Sequence, residues 1–312
     1  MQVNWFSLRD NNRLFFCILC VAVSVAHMVS ASWAGSNSAG KLTVYVVNYP
    51  IQYFAERIGG ENVNVVFPAP ADVDPAYWMP DTPTITAYQQ ADLILLNGAH
   101  YAKWIDKVTL PRFRMVNTSA GFKDPYIESP EILTHSHGSE GQHAHESLAF
   151  TTWMDFSLAA KQAKAIAEAL SRKRPDLSDT FQKNYAALEN DLMALDRAVK
   201  EIVSKDRVRP LMVSHPVYDY FARRYELIIK SVHWEPDEIP TNEHMMELNR
   251  FLKEHPAKWM IWEGKPKKES VERLRAIGVD SLVFNPCGNT PDQGDFLSVM
   301  GQNVKNLKSA FQ

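Results

Sequence analysis

The chain has 312 residues, 46% of them hydrophobic, which is enough for a large buried core. At roughly 100–200 residues per domain it is also too long for one ordinary domain. A formal net charge of −3 leaves no electrostatic footprint for nucleic acid, and no basic run marks a membrane-surface binder.

Residues 1–34 read as an export signal. Arg9 and Arg13 precede an apolar run, residues 14–26, that is too short to span a bilayer comfortably. Small residues then offer cleavage positions after Ala31 or Ala34. An uncleaved anchor is the alternative, as is a lipoprotein modified at Cys20, although Leu19 stands where that modification expects a small residue. The expected compartment is a bacterial periplasm. Cleavage would remove Cys17 and Cys20 and leave only Cys287, so no intrachain disulfide is expected. A lone thiol in an oxidising compartment is either buried or a ligand.

The β-branched stretch "KLTVYVVNYP" predicts a first strand over residues 41–50. "IQYFAERIGGENVNVVFPAP" reads as helix, glycine turn and second strand. "ITAYQQADLILLNG" repeats the plan, with a short helix, a buried strand over residues 93–96 and a Gly-containing turn. Strands alternating with helices argue for a parallel α/β sheet. Residues 117–150 are loop-rich, and helix returns at "SLAAKQAKAIAEALSRK".

Within that loop-rich stretch stands "HSHGSEGQHAHE", residues 135–146, with His135, His137, His143 and His145. Gly138 and Gly141 interrupt it, which predicts a polar surface loop. Each His-x-His pair can present two imidazoles to one ion, and a solvated linker is the plain alternative.

The longest helix is expected over residues 176–205. Leu177, Phe181, Tyr185, Leu188, Leu192, Leu195, Val199 and Ile202 recur in steps of four and three, giving one continuous apolar stripe. Such a helix can pack on two lobes at once. A second α/β unit follows, with strands predicted at "RPLMVSH", "LIIKSVHW", "KWMIWEG" and "DSLVFNP", helices between them, and a closing helix "FLSVMGQNVKNLKSAF". The expected organisation is an N-terminal α/β lobe over residues 35–175, a linking helix over 176–205 and a C-terminal α/β lobe over 206–312. Two similar lobes with parallel-type sheets, joined by one long rigid helix, place any ligand in the cleft between them, at the carboxyl ends of the strands.

At this point the chain resembles the periplasmic zinc- and manganese-binding components of ABC importers. The resemblance covers residues 41–312 and rests on five ordered matches. "DPAYWMPDTPTITAYQQADLILLNG" resembles that family's Asp-Pro-His-x-Tyr-Glu-Pro segment with its following strand and Asn-Gly turn. A His-rich loop precedes "TTWMDF", which resembles the family's His-x-Trp-Leu-Asp stretch. "VSHPVYDYFARRYEL", "MIWEGKP" and "VFNPCG" complete the series. The resemblance implies a metal-binding solute receptor, not an enzyme, that carries zinc as cargo, with manganese or another divalent metal as the alternative. It also implies an inner-membrane ABC permease as partner, a monomeric state, and an auxiliary metal-collecting role for the His-rich loop. No metal is expected to be needed for folding.

The chain departs from the family at the ligand positions. The resemblance maps the first histidine to Ala76, the second to Thr151 and the final carboxylate to Asn285, and only His215 survives. The candidate metal set is therefore His215 with Glu263, Asn285 and Cys287. Glu263 ends the strand "MIWE" at the cleft edge, and Cys287 lies two residues beyond Asn285. Asp72, Asp74 and Asp155 flank the altered positions; a helix cap or a salt bridge is the alternative for Glu263 and Asp155. Tyr77, Trp78, Trp153, Trp234 and Trp262 stand near the expected cleft, either as packing or as the wall of a roomier pocket for an organic ligand or a chelated metal. Ser214 and His215 are strand neighbours and point oppositely, so they do not form a nucleophile–base pair. The alternative function is a same-fold binding or metal-handling accessory protein with a different or chelated ligand.

Overall fold

The computed structural model describes residues 1, 2, 40–122, 126–129 and 147–312. Nearly all of the expected export signal, and all four histidines of the 135–146 segment, lie outside the described residues. No helix among the described residues is long and apolar enough to cross a membrane.

Two four-stranded parallel sheets organise residues 41–312. The first is built from β1 (Leu42–Val46), β2 (Val63–Val66), β3 (Leu93–Leu96) and β4 (Met115–Asn117) in the order β2-β1-β3-β4. Helix α1 (Tyr49–Gly59) follows β1, and α2 (Thr82–Gln90) precedes β3. A short antiparallel pair, β5 (Glu128–Ser129) and β6 (Ser147–Leu148), leads to α3 (Phe156–Lys173) and then to α4 (Ser178–Val203). The second sheet contains β7 (Pro210–Val213), β8 (Ile228–Ser231), β9 (Trp259–Trp262) and β10 (Asp280–Val283) in the order β10-β9-β7-β8. Helices α5 (Asp219–Tyr225), α6 (Asn242–Glu254) and α7 (Lys268–Ala276) intervene, and α8 (Phe296–Ala310) closes the chain.

Counted from its own first strand, each sheet runs second-first-third-fourth. Each therefore has a switch point between its first and third strands, β1/β3 and β7/β9, where successive connections leave in opposite directions. Sequences such as "LILL" and "WMIW" suit strands covered on both faces, which read as unbroken apolar runs.

Two details differ from the sequence expectation. Helix α1 starts at Tyr49, inside the stretch predicted as strand, because the Asn48 side chain accepts a hydrogen bond from the Ile51 amide at 3.2 Å. Pro50 then sits in the first turn, where its missing N–H has no intrahelical role. Strand β4 was not expected; it is three residues long and sits at the sheet edge, too short to carry a periodic signal.

Helix α4 runs unbroken for 26 residues, about 39 Å at 1.5 Å per residue. It packs on α1 and α3 at the first sheet and on α5 and α8 at the second. Phe181, Leu188, Leu192, Val199 and Ile202 of the stripe are buried, with Tyr185 and Leu195 partly so. They join one continuous core that includes Val44 and Ile94 of the first sheet and Leu211 and Phe284 beside the second.

Asp196 interrupts that stripe and is 1% exposed. Its carboxylate accepts from Arg224 Nε at 2.9 Å and Nη2 at 3.0 Å, and from the Tyr225 hydroxyl at 3.1 Å. Lys200 Nζ adds a contact at 2.8 Å. Arg224 Nε also lies 3.6 Å from Asp155, the residue that caps α3. Burial alone would raise the Asp196 pKa, but the hydrogen bonds and charges of Arg224 and Lys200 outweigh it and hold the carboxyl below its usual range.

A carboxyl with a depressed native pKa stabilises the fold above its unfolded pKa, and that stability is lost as pH falls through the native value. Asp196→Ala should therefore lower unfolding stability at pH 7 by about 2–3 kcal/mol, by removing the main partner of the half-buried Arg224 guanidinium. Urea titrations across the acid range should show a shallower acid limb for Asp196→Asn than for the wild type. An unchanged acid limb would mean that other carboxylates govern acid unfolding.

Candidate metal centre

Three adjacent strands, β8, β7 and β9, end in the same way. Ser214, just past β7, donates its amide to Ile261 O at 2.8 Å, and the Trp234 amide, beyond β8, donates to Ser214 O at 2.8 Å. On β9 the Phe284 amide donates to Trp262 O at 2.8 Å. Ser214, Trp234 and Trp262 are all buried. The residue after each is His215, Glu235 or Glu263. Alternation along extended chain turns these three away from the core that holds their neighbours.

One donor atom from each of these three side chains lies within 4.8 Å of the others, and no further Cys, Asp, Glu or His of the described residues joins the group. His215 Nε2 is 3.5 Å from Glu235 Oε1, with the two side chains 20% and 53% exposed. Donors of a tetrahedral zinc stand roughly 3.4 Å apart, given bonds near 2.0–2.2 Å, so rotamer adjustment of the carboxylates suffices to close the set on an ion. The Glu263 carboxyl is pushed up to about 8, first by burial and then by the charges of Glu235 and Asp74. A bound cation offsets both causes.

The group forms one wall of a cavity of about 730 Å³ that draws on both lobes. From the first lobe come Asp74, Tyr77, Tyr101, Phe150, Thr151 and Trp153. Pro216, Val217 and the turn of residues 285–289 come from the second. The lobes are tied beside it. Trp153 Nε1 donates to Pro286 O at 2.7 Å, Thr151 Oγ1 donates to Val217 O at 2.7 Å, and the Tyr49 amide donates to Gly288 O at 3.0 Å.

The switch point of the first sheet carries different chemistry. Asn48 follows β1 and Asn97 follows β3, and both are fully buried. Asn97 Oδ1 accepts from Asn48 Nδ2 at 3.3 Å, Gln162 Nε2 at 3.1 Å and Thr152 Oγ1 at 3.2 Å. Its own amide donates to Phe150 O at 2.9 Å. This network is neutral and saturated internally, so it positions Phe150 and Thr151 at the cavity and is not built to hold an ion. Next to it, Gly98 adopts φ +82°, and a Cβ there would come within 1.9 Å of Ser119 Oγ. Only glycine fits this turn.

Of the residues singled out in the sequence, His215, Glu263, Asn285, Cys287 and Thr151 all line the cavity. Ala76 is fully buried in the apolar core and is not among the lining residues. Thr151 is committed to Val217 O. Asn285 Oδ1 accepts the Cys287 amide at 2.7 Å, a local turn that holds Cys287 at φ 58°. The Cys287 thiol is pushed up to about 12, mainly by burial and then by Asp295, and is not one of the clustered donors. Asp155 is the α3 cap, as its alternative reading had it. Glu235 escaped sequence reasoning. Its signal was the repeated Trp-Glu pair, Trp234-Glu235 and Trp262-Glu263, at the ends of two strands that lie either side of β7.

Two α/β lobes of one strand order, closing on a cavity at their strand ends, define the fold of α/β solute-binding proteins. The chain belongs to the family described as zinc-uptake complex component A, periplasmic, which matches residues 44–310. It is 27% identical over 281 residues to the zinc-binding lipoprotein AdcA of Streptococcus pneumoniae, covering 86% of this chain and 56% of that protein. The chain thus spans little more than half the length of AdcA. Over 309 residues it is 25% identical to the high-affinity zinc uptake system protein ZnuA of Bacillus subtilis, covering 95% and 96% of the two chains. Among solved structures it superposes on the metal-dependent lipoprotein YcdH of Bacillus subtilis with a TM-score of 0.75 at 22% identity, covering 87% of this chain and 99% of that one. Zn(II)-bound AdcA from Streptococcus pneumoniae gives 0.73 at 23%, covering 87% and 58%.

Burial and the raised pKa together predict an inert Cys287. In protein lacking residues 1–34, a chromogenic disulfide reagent at pH 8 should label no thiol in the native state and one after unfolding in urea. Fast labelling of the native protein would mean that the Cys287 thiol is open to reagent from the cavity and not buried beneath its surface.

Proposed function

We propose that this chain is the extracytoplasmic solute-binding component of a zinc-type ABC importer, acting as a monomer in the periplasm and delivering a divalent cation to an inner-membrane permease. The observation that carries the reading is the convergence of His215, Glu235 and Glu263 at the carboxyl ends of β7, β8 and β9. Family membership and the zinc-related names of the relatives support zinc as the cargo. One imidazole and two carboxylates suit zinc, and the oxygen share also admits manganese. The role is capture and release: the donors bind an ion, and among the described residues no nucleophile is paired with a base beside them.

The family's own ligand positions at Ala76, Thr151 and Asn285 hold no strong donor, so the centre is proposed to have moved onto the second lobe. His215 remains as its one inherited ligand, with Glu235 and Glu263 as new partners. The 135–146 segment is proposed to serve as an auxiliary collector through His135, His137, His143 and His145.

Calorimetry and metal analysis of protein lacking residues 1–34 test both parts. A single tight zinc equivalent is expected, weakened about tenfold or more by His215→Ala and by Glu263→Gln, which corresponds to a loss of about 1.4 kcal/mol or more. Replacing the four loop histidines with alanine should remove additional weak equivalents and leave the tight one. If the tight equivalent disappears with the loop histidines and survives His215→Ala, the cleft is not the binding site. Manganese competition at equal concentration should displace little zinc, because nitrogen ligation favours zinc in the order of divalent-metal affinities.

A further inference from the structure

A bare ion does not explain the size of the chamber above the metal centre. The cavity measures about 730 Å³, whereas a water molecule takes about 30 Å³ of liquid volume. The volume matches an organic ligand in the few-hundred-ångström-cubed class.

The walls have a definite chemistry. Tyr101 lies edge-on to Phe150 at 5.2 Å and to Trp153 at 5.6 Å between ring centroids, and Tyr77 lies edge-on to Phe150 at 6.3 Å. These four rings line the same cavity as His215, Glu235 and Glu263. Among the described lining residues the acidic ones are Asp74, Glu235 and Glu263, and none is Lys or Arg. The Lys103 ammonium stacks over Phe150 at 5.5 Å but is not itself a lining residue. An anionic chelator built on carboxylates or phosphates would meet like charge here without a cationic partner. A neutral chelator on a divalent ion gives a complex with net positive charge, which two glutamates and the aromatic faces accommodate.

The donor count points the same way. The three donors found among the described residues leave at least one position of a four-coordinate zinc open, and all three line the chamber. Resting on the reading of His215, Glu235 and Glu263 as the cation site, we propose that the cargo is a divalent cation already carrying a neutral nitrogen-donor chelator with an aromatic or apolar body. The three side chains bind the metal, the chelator fills the open positions, and its body packs among Tyr77, Tyr101, Phe150 and Trp153. No covalent step is involved: coordinated water leaves as the protein donors enter.

The probes are zinc alone, zinc with one equivalent of 2,2′-bipyridine, and zinc with one equivalent of citrate, measured by native mass spectrometry and calorimetry on the full mature chain. A protein–zinc–bipyridine complex of 1:1:1 composition is expected, with apparent zinc affinity about tenfold higher than for zinc alone. Citrate should only compete for zinc. Phe150→Ala and Tyr77→Ala, the second at a half-exposed position that tolerates truncation, should bring the affinity ratio with and without bipyridine close to parity. If bipyridine merely strips zinc from a protein that binds zinc well alone, the chelate inference falls and the metal centre stands. Equal uptake of citrate would also overturn the inference. If neither zinc alone nor zinc–bipyridine binds, both fall together.

Discussion

One apolar stripe, on α4, has to satisfy two sheets at once, and the cleft exists because it does. Phe181, Leu188, Val199 and Ile202 are buried in one core with no break, and the helix packs on elements of both lobes. A helix that bends or frays would let the strand ends drift apart. Asp196 makes the arrangement less forgiving, because its buried charge is satisfied only when Arg224 and Tyr225 of α5 sit where they do. Hydrophobic burial supplies most of the stabilisation and is tolerant of small shifts, whereas the bidentate pair is directional and fixes the register.

The two sheets share a strand order but use their switch points differently. Behind β1 and β3 the crevice is filled by Asn48, Asn97, Gln162 and Thr152, whose donors and acceptors meet one another. The crevice behind β7 and β9 is left to an imidazole and carboxylates, one of which is held near neutrality by burial. The same topology thus yields a rigid wall on one side and a reactive wall on the other. The neutral side presents aromatic rings, through Phe150 and Trp153, to the charged side.

Much of this was legible in the sequence, and the exceptions are instructive. Strand β3 and the extent of α4 followed from apolar runs and periodicity, since both are dictated by burial that the side chains themselves encode. Helix α1 began early because a cap at Asn48 is a local hydrogen bond, invisible to periodicity. Asp196 carried no signal in the sequence, because its burial depends on an arginine 28 residues away. At the site, His215 was singled out through the family resemblance and Glu263 as the end of a strand. Glu235 was missed because its strand ends in a segment where Asp237 and Glu238 crowd the pattern, and because no spacing rule links it to His215. Only the order of β8, β7 and β9 brings the three together.

All three clustered donors belong to the second sheet, and this has a mechanical consequence. A cation bonded to His215, Glu235 and Glu263 is anchored to one lobe only, so the metal bonds themselves place no strain across α4. Loaded and empty forms of such a receptor would differ in the electrical field at the mouth of the cleft, where two carboxylates gain a counter-charge. A membrane partner reading this protein would then sense its load by charge, and unloading would require a competing donor more than a lever.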